Sequence, residues 1–276
     1  MKKRRADEAL YEDLNLESLH LARALIMEGR VMAGDRKILR SSETLREGET
    51  LRVRGELDAW VSRGAHKLKK ALEVFQLDLK DRVCVDVGAS TGGFTDVMLR
   101  NGAARVYSVD VGYNLLDYRL RSDPRVVCME RTNARFLKAE DFDPKPSFGA
   151  TDVSFISLKA VLPSALSVLE GENRRFVALI KPQFEADRAD VGEKGVVRER
   201  RVHDHVLRDI TGFVPSLGWS VCDLDYSPIR GPEGNIEFLM LIAPEHEFAS
   251  NVNNWSIDVT IDRAYDFFFK SIKGGL

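Results

Sequence analysis

The chain has 276 residues, of which 44% are hydrophobic and 30% charged, and its formal net charge is -2 at pH 7. This length accommodates an α/β domain of about 200 residues and a smaller one. The sequence contains no uninterrupted run of about 18 apolar residues, which a membrane-spanning helix would need. The basic residues 2–5 are followed by acidic residues and not by an apolar core, so we expect no secretory signal and a cytoplasmic location.

The cysteine and histidine patterns do not predict a metal site. Cys84, Cys128 and Cys222 occur singly in apolar, strand-like runs, which is typical of reduced, buried thiols and not of disulfides or zinc ligands. His203 and His205 are two residues apart on a predicted helix, and side chains at that spacing do not share a helix face.

Residues 1–58 are predicted to form a small α+β domain. Residues 19–31 carry apolar side chains at helical spacing as far as Gly29, which predicts the second of two short helices. The period then changes: Val31 and Met32, a turn at residues 33–35 and the segment 48–55 are typical of short strands joined by turns. This order of elements predicts a compact unit with its own core.

The helix-then-strand order resembles the S4-like RNA-binding fold, mainly over residues 23–31 and in the hairpin that ends in LRVRG. The resemblance implies RNA contacts by basic side chains, and we predict that these are Arg4, Arg5, Arg23, Arg30, Lys37 and, just beyond the domain, Arg63. Charge alone does not indicate nucleic-acid binding, because residues 1–55 hold 12 basic and 10 acidic residues. A solvated, charged cap is the alternative.

From residue 59 to residue 276, strands alternate with helices. The apolar stripe Ala65, Leu68, Leu72 and Phe75 predicts a helix ahead of the first strand. Predicted strands are 83–87, 105–111, 125–129, 148–153, 175–181, 219–227 and 235–243, and predicted helices include 94–100, 158–169 and 201–217. This alternation predicts an α/β fold with a doubly wound, Rossmann-like sheet of seven strands. Only turn residues join the last two strands, so we expect them to pair antiparallel at an edge.

A turn rich in small residues follows the first strand, where this fold binds its ligands. Ser90 stands where a dinucleotide fingerprint has its second glycine, which disfavours NAD. Asp110 ends the second strand, where a carboxylate can accept the ribose hydroxyls of adenosine, so we predict S-adenosylmethionine as the cofactor. The predicted cofactor-binding residues are Asp86, Gly88, Ala89, Ser90, Thr91, Gly92, Gly93, Phe94, Asp110, Thr132, Asn133 and Asp152. A turn that serves only helix–strand packing is the alternative.

Four polar residues lie at key points of this topology. Lys67 is on the helix before the first strand, Asp152 and Lys181 end the fourth and fifth strands, and Glu237 is on the last strand. Because the ends of the fourth and fifth strands flank the predicted cofactor crevice, we expect Asp152 and Lys181 to face the substrate. Taken singly, each residue also has an ordinary interpretation as a surface lysine, a turn cap, a strand-end lysine or an edge charge.

Residues 62–68, 86–96, 151–158, 180–185 and 231–239 together resemble the hemolysin-A (TlyA-type) family, whose catalytic domain belongs with the FtsJ-like ribose methyltransferases. The resemblance implies 2'-O-methylation of ribosomal RNA and a Lys-Asp-Lys-Glu tetrad at Lys67, Asp152, Lys181 and Glu237. Deprotonation and alignment dominate this chemistry. Our hypothesis is that Lys181 accepts or polarises the proton of the ribose hydroxyl and that Asp152 and Glu237 orient the two lysines. Lys67 would also stabilise the negative charge of the forming alkoxide and of the adjacent phosphate.

The implied partner is ribosomal RNA or a ribosomal subunit, without stable membrane association. Trp60 is predicted to pack at the joint near residues 55–60 or to stack on a base, and residues 186–197 to close over substrate or form an ordinary surface loop. Three other functions stay open at this point: a noncatalytic RNA-binding or ribosome-assembly protein of the same fold, a membrane-active haemolysin, and an NAD-dependent oxidoreductase. The sequence specifies neither the nucleotide, nor the ribosomal subunit, nor the oligomeric state.

Overall fold

A computed structural model describes residues 4–14, 16, 19–27, 29–46, 48–54, 60–245 and 255–270. The chain forms two compact units, residues 1–59 and 60–276. Most of the predicted joint at residues 55–60 lies outside the described residues, which resume at Trp60. None of the helices described in these ranges is long and apolar enough to cross a membrane.

The first unit packs two helices on a small antiparallel sheet. The helices are α1 (Ala6–Asp13) and α2 (Leu19–Met27). The described strands are β1 (Val31–Ala33), β2 (Arg36–Lys37) and β3 (Leu51–Val53), in the order β2-β1-β3. Ala9, Leu10, Leu25, Ile26 and Ile38 contribute to a core that is confined to this unit. The predicted helix-then-strand order is therefore the observed one.

In the second unit, seven described strands form one sheet in the order β6-β5-β4-β7-β8-β10-β9. Their bounds are β4 (Val83–Val87), β5 (Arg105–Val109), β6 (Val126–Met129), β7 (Phe148–Thr151), β8 (Arg175–Ile180), β9 (Trp219–Tyr226) and β10 (Phe238–Pro244). The first five are parallel, and β10 runs antiparallel to β8 and β9. The predicted doubly wound sheet with its antiparallel edge is confirmed.

Helices cover both faces of this sheet. They are α3 (Ala65–Val74), α4 (Gly93–Arg100), α5 (Tyr118–Arg121), α6 (Leu158–Ser167), α7 (Pro182–Glu185), α8 (Arg200–Phe213) and α9 (Ile257–Tyr265), and a π-helix follows at Asp266–Lys270. Because successive side chains of a strand point to opposite faces, Cys84 packs in the core with α3 and α4, whereas Val85 packs in the core with α6 and α8. Burial on both faces explains the nearly continuous apolar runs of the central strands.

Many predicted boundaries lie one or two residues from the observed ones, so Asp110, Asp152 and Lys181 directly follow their strands instead of ending them. Two boundaries lie farther away. The last strand begins at Phe238, so Glu237 precedes the strand instead of lying on it. The helix predicted for residues 201–217 ends at Phe213 and continues as a 3-10 turn, Val214–Leu217. Pro215 lies in that turn, and proline has no N–H with which to continue the α-helical ladder.

Gly149 of β7 leaves room for a buried ring. A Cβ at this position would lie 2.5 Å from a ring carbon of Phe176. We expect Gly149→Ala to overpack this core and to lower the free energy of unfolding by about 1–3 kcal/mol, measured by urea denaturation. The control is Gly212→Ala in α8, which meets no atom within 4 Å and should leave stability unchanged or slightly raised. Wild-type stability of Gly149→Ala would contradict this packing.

Candidate active site

Two adjoining cavities lie where the parallel strands end. The larger has a volume of about 440 Å³ and is lined by Asp110, Val111, Leu115, Thr132, Asn133 and Phe155, among others. The smaller, of about 220 Å³, is lined by Ser62, Lys67, Asp86, Ala89, Thr91, Gly93, Phe94, Lys181, Pro232 and Glu237, among others. They share Gly88, Ser90, Asp152 and Ser154. A third, larger groove of about 670 Å³ beside α8 shares no lining residue with them.

The turn after β4 brings the backbone close to both cavities. Gly88 has a φ of +85°, and a Cβ on it would lie 3.2 Å from the backbone of Asp152, so both its conformation and this close approach favour glycine. Gly92 also has a positive φ, but its missing Cβ makes room for Leu116 and Leu120, and Gly92 lines neither cavity. The structure therefore separates Gly92 from the other predicted cofactor residues.

Asp110 is held in place by the backbone. Its Oδ2 accepts the N–H of Ser90 at 2.8 Å, and its Oδ1 accepts the N–H of Gly112 at 2.7 Å. Each carboxylate oxygen can accept a further hydrogen bond, so Asp110 remains able to bind the hydroxyls of a ligand in the larger cavity.

Asp86 is a fully buried carboxylate with one unused acceptor. Its Oδ2 accepts hydrogen bonds from the N–H and the hydroxyl of Thr95, at 2.9 and 2.7 Å. Its Oδ1 has no hydrogen-bond partner among the described residues, and Asp86 lines the smaller cavity. Burial raises the pKa of Asp86 to about 7. A cationic group of a ligand is the chemistry that would satisfy this oxygen.

Thr132 and Asn133, in the wall of the larger cavity, also have structural roles. The Thr132 hydroxyl donates to the carbonyl of Glu130, and Asn133 Oδ1 accepts the N–H of Arg135 and so caps the 3-10 turn Ala134–Phe136. The apolar residues Val111, Leu115 and Ile156 complete this wall.

Four charged side chains line the smaller cavity and form a chain of ion pairs. Lys67 Nζ lies 2.8 Å from Glu237 Oε2 and 3.1 Å from Asp152 Oδ2. Asp152 Oδ1 lies 2.7 Å from Lys181 Nζ. The order is therefore Glu237, Lys67, Asp152, Lys181, so Asp152 bridges the two lysines. The side chains of the lysines and of Glu237 are less than 10% exposed, which shields these pairs from solvent and salt.

The electrostatics of the cluster follow from this burial. Burial lowers the pKa of Lys67, but the negative charges of Asp152 and Glu237 outweigh it, and the pKa of Lys67 is raised overall. Burial raises the pKa of Glu237, and the positive charge of Lys67 offsets this only in part. Lys67 is thus a permanent cation at neutral pH.

Ser154 is a residue of this site that the sequence interpretation missed. Lys181 Nζ donates a hydrogen bond to Ser154 Oγ at 2.7 Å, and it lies 3.5 Å from the backbone carbonyl of Asp152. Ser154 lies two residues after Asp152, on a loop that leaves a central strand, and this position is the signal that would have identified it.

The predicted RNA-binding arginines of the first unit also form structural ion pairs. Arg5 and Arg23 both bind the buried carboxylate of Asp7, and the hydrogen bond from Arg5 lowers the pKa of Asp7 to about 2. Arg4 pairs with Glu12 and Asp13. The side chains of Arg4, Arg5 and Arg23 remain almost half exposed, and a guanidinium with five N–H donors can hold one partner and still contact another.

The other predicted RNA contacts lie in different surroundings. Arg30 Nε donates to the carbonyl of Arg54, and Lys37 is an exposed residue at the end of β2. Arg63 belongs to the second unit, where it donates to the carbonyl of Arg230 at 2.6 Å.

Two further predicted segments are anchored within the second unit. The guanidinium of Arg100 lies 4.4 Å from the centre of the Trp60 ring, and Trp60 packs against the core of this unit, as expected for a packing role. Asn235 ties down the end of the loop at residues 186–197, because it accepts the N–H of Val197 and donates to the carbonyl of Gly195.

Comparisons with known proteins show the family to which the chain belongs. Residues 60–243 match the model of the FtsJ-like methyltransferase family. The chain is 45% identical to the "Putative rRNA methyltransferase YqxC" of Bacillus subtilis over 87% of this chain and 85% of that one. It is 44% identical to the 16S/23S rRNA (cytidine-2'-O)-methyltransferase TlyA of Mycobacterium tuberculosis over 69% and 71%. A solved structure, "Putative hemolysin from Streptococcus thermophilus", has a TM-score of 0.78 at 42% identity over 99% of both chains.

Removing Lys67 should destabilise the protein, because the buried carboxylates of Asp152 and Glu237 then lose this cationic partner. We expect Lys67→Met to lower the free energy of unfolding near pH 8 by about 3–5 kcal/mol. Without the lysine, burial raises the pKa of Glu237 further. A carboxyl group whose pKa is raised in the folded state lowers the free energy of unfolding as the pH rises towards that pKa, because the folded state must then bury an unpaired charge. The destabilisation should therefore be smaller near pH 5, as measured by urea denaturation at both pH values.

The matched control for this experiment is Lys138→Met. The Lys138 side chain is 67% exposed, so this variant should keep the wild-type stability at both pH values. A Lys67→Met variant as stable as the wild type near pH 8 would show that the buried pairs do not constrain the fold.

Proposed function

Because the chain belongs to the FtsJ-like methyltransferase family, we propose that it transfers the methyl group of S-adenosylmethionine to a ribose 2'-hydroxyl of ribosomal RNA. The observation that carries the proposal is the buried chain of ion pairs from Glu237 to Lys181, which lines the smaller cavity beside a cavity suited to an adenosine. The relative named a 16S/23S rRNA (cytidine-2'-O)-methyltransferase supports the choice of acceptor.

The residues of the two cavities fit this methyl donor. The carboxylate of Asp110 is placed to accept the ribose hydroxyls, and the unpartnered Oδ1 of Asp86 would bind the amino group. The apolar wall at Val111, Leu115 and Ile156 suits the adenine ring. When bound, S-adenosylmethionine supplies an electrophilic methyl group on a positively charged sulfur. The chain must then supply the alignment of the acceptor and a destination for its proton.

We assign to Lys181 the role of accepting the proton of the ribose hydroxyl. A ribose hydroxyl is a very weak acid, so its oxygen becomes an effective nucleophile only as a positioned group accepts or polarises the proton. The contacts of Lys181 Nζ with Asp152 Oδ1 and Ser154 Oγ, both 2.7 Å, fix the nitrogen at the wall of the cavity. Only the neutral amine has a free lone pair, so it is in this form that Lys181 would accept the proton of the substrate hydroxyl.

Lys67 and Glu237 hold this arrangement in place. Lys67 binds the second oxygen of Asp152, which fixes the carboxylate that in turn orients Lys181. Glu237 balances the charge of Lys67. The permanent charge of Lys67 also stabilises negative charge that develops on the substrate oxygen.

We propose that the first unit, residues 1–59, binds RNA as an S4-like domain. Contacts from Arg4, Arg5, Arg23, Arg30 and Lys37 to phosphates would position the catalytic unit without reading sequence, and Arg63 would add a contact beside the active site. A ribosomal RNA substrate implies that the protein acts in the cytoplasm.

Replacing Lys181 tests the proposed chemistry. Lys181→Ala should lower the rate of tritiated methyl transfer to ribosomal RNA by about 10²- to 10⁴-fold, because it removes the group that handles the proton. Binding of S-adenosylhomocysteine, measured by calorimetry, should change little, since the predicted cofactor contacts remain.

The control for this assay is Lys138→Ala, an exposed lysine of the same unit, which should transfer methyl groups at the wild-type rate. Near wild-type transfer by Lys181→Ala would remove Lys181 from the mechanism. RNA binding by the wild type without any methyl transfer would favour a noncatalytic RNA-binding protein.

Asp86 should make cofactor binding depend on pH. Its pKa is raised to about 7 in the free protein, and a ligand ammonium requires the ionised carboxylate. The dissociation constant of S-adenosylhomocysteine should therefore fall about tenfold per pH unit as pH rises towards 7, and level off above that value. Calorimetry in buffers with different heats of ionisation should detect the released proton.

Asp86→Asn is the matched control, because an amide oxygen can still accept the N–H of Thr95. This variant should bind S-adenosylhomocysteine more weakly and without the pH dependence. An affinity of the wild type that stays constant between pH 6 and 8 would rule out the proposed role of Asp86.

A further inference from the structure

Glu185 joins the two loops that carry the proposed catalytic groups. One loop, residues 152–157, follows β7, and the other, residues 181–185, follows β8 and contains α7. Glu185 Oε1 accepts the N–H of Leu158 at 2.8 Å, and Oε2 accepts the hydroxyl of Ser157 at 2.6 Å. Both partners lie at the start of α6. The carboxylate therefore ties the end of the second loop to the end of the first.

These contacts close a small frame around Lys181. β7 and β8 are neighbouring parallel strands, with Thr151 paired to Ala178, so the loops leave the sheet side by side and meet again at Glu185. Inside the frame, Lys181 donates to Ser154 Oγ. Farther along the same loops, the rings of Phe155 and Phe184 lie with their centres 5.0 Å apart. A change in the spacing of the loops would move Ser154 relative to Lys181.

The first loop needs such support because its backbone is strained. Phe155 has a φ of +64°, a left-handed conformation that costs a non-glycine residue about 1–2 kcal/mol. Strained residues persist where the surrounding structure over-determines them. Phe155 is 90% exposed, so its own packing supplies little of this restraint. Glu185 instead holds Ser157 and Leu158, two and three residues later in the chain.

The chemistry of Glu185 suits a structural contact and not proton transfer. Each of its oxygens accepts a hydrogen bond at the first turn of α6, where the N-terminal end of a helix favours a negative charge. Burial raises the pKa of Glu185. Glu185 lines neither cavity, so it touches neither the proposed cofactor nor the substrate hydroxyl.

We propose that Glu185 is a positioning residue for methyl transfer: its carboxylate sets the spacing of the two loops and thereby holds Ser154 and Lys181 in reacting geometry with Asp152. This inference rests on the proposed function, since it assigns Glu185 to the support of the same site. Glu185 acts on the rate of the chemical step and not on the binding of either substrate.

The test compares Glu185→Ala with Glu185→Gln in steady-state methyl transfer. The alanine variant should lower kcat by about 10- to 100-fold, the scale expected for a misplacement of about 1 Å, with KM for RNA and the affinity for S-adenosylhomocysteine within about twofold of wild type. The glutamine amide can accept from Leu158 and donate to Ser157, so Glu185→Gln should recover kcat to within about threefold.

Asp209→Ala is the matched control. Asp209 also contacts the first turn of α6, through Lys159 at 2.6 Å, but the two side chains are 39% and 42% exposed and their ion pair leaves both hydrogen bonds of Glu185 in place. It should keep the wild-type kcat. Hydrogen exchange of peptides covering residues 153–158 should quicken in Glu185→Ala and stay unchanged in Glu185→Gln and Asp209→Ala, which separates release of the loop from a general loss of stability.

The outcomes are distinguishable. A wild-type kcat in Glu185→Ala, or a kcat in Glu185→Gln as low as that of the alanine variant, overturns the inference while leaving the proposed function intact. A wild-type protein that transfers no methyl group to ribosomal RNA overturns the proposed function itself. If Glu185→Ala does not fold, Ser157→Ala removes only one of the two contacts and should show a smaller loss of kcat with unchanged KM, whereas an unchanged kcat there overturns the inference.

Discussion

The buried chain of ion pairs is the constraint on which the rest of the site depends. Moving a charge out of water is costly unless a partner of opposite sign and further hydrogen bonds compensate it, and here each charge has such a partner. Asp152 is central because its two oxygens bind different lysines. Helix α3 supplies Lys67, the ends of β7 and β8 supply Asp152 and Lys181, and the residue before β10 supplies Glu237. The strand order brings these four elements together.

The same strand order places the predicted cofactor-binding residues next to this cluster. β4 lies beside β7 in the sheet, and Gly88, directly after β4, approaches the backbone of Asp152 closely, since a Cβ there would lie 3.2 Å from it. A donor bound beside Gly88 and an acceptor held by Lys181 would therefore meet across a short distance. In the proposed reaction, the protein contributes mainly this alignment, because the donor is already activated.

The sequence predicted the parts of the site that follow from topology. The carboxyl ends of parallel strands share one edge, so Asp152, Lys181, Asp86 and Asp110 could be assigned to one crevice from strand positions alone. The position of Ser154 two residues after Asp152 made it a candidate, but its contact with Lys181 and the contacts of Glu185 could not be predicted, because they depend on the left-handed turn at Phe155 and on the packing of α6.

Charge counts were equally uninformative about the first unit. They did not reveal that Arg5 and Arg23 share a buried carboxylate with Asp7, since that pairing depends on how the helices pack. The start of β10 was misplaced because Asn235, Ile236 and Glu237 alternate polar and apolar side chains as a strand does, although Asn235 serves the loop and Glu237 serves the ion pairs.

Mass spectrometry of nucleosides tests the proposed methyl transfer most directly. The sample is ribosomal subunits from cells that lack the gene, incubated with the purified protein and S-adenosylmethionine. We predict a new methyl group on a ribose 2'-oxygen, whereas a methyl group on a base, or none, would contradict the proposed function.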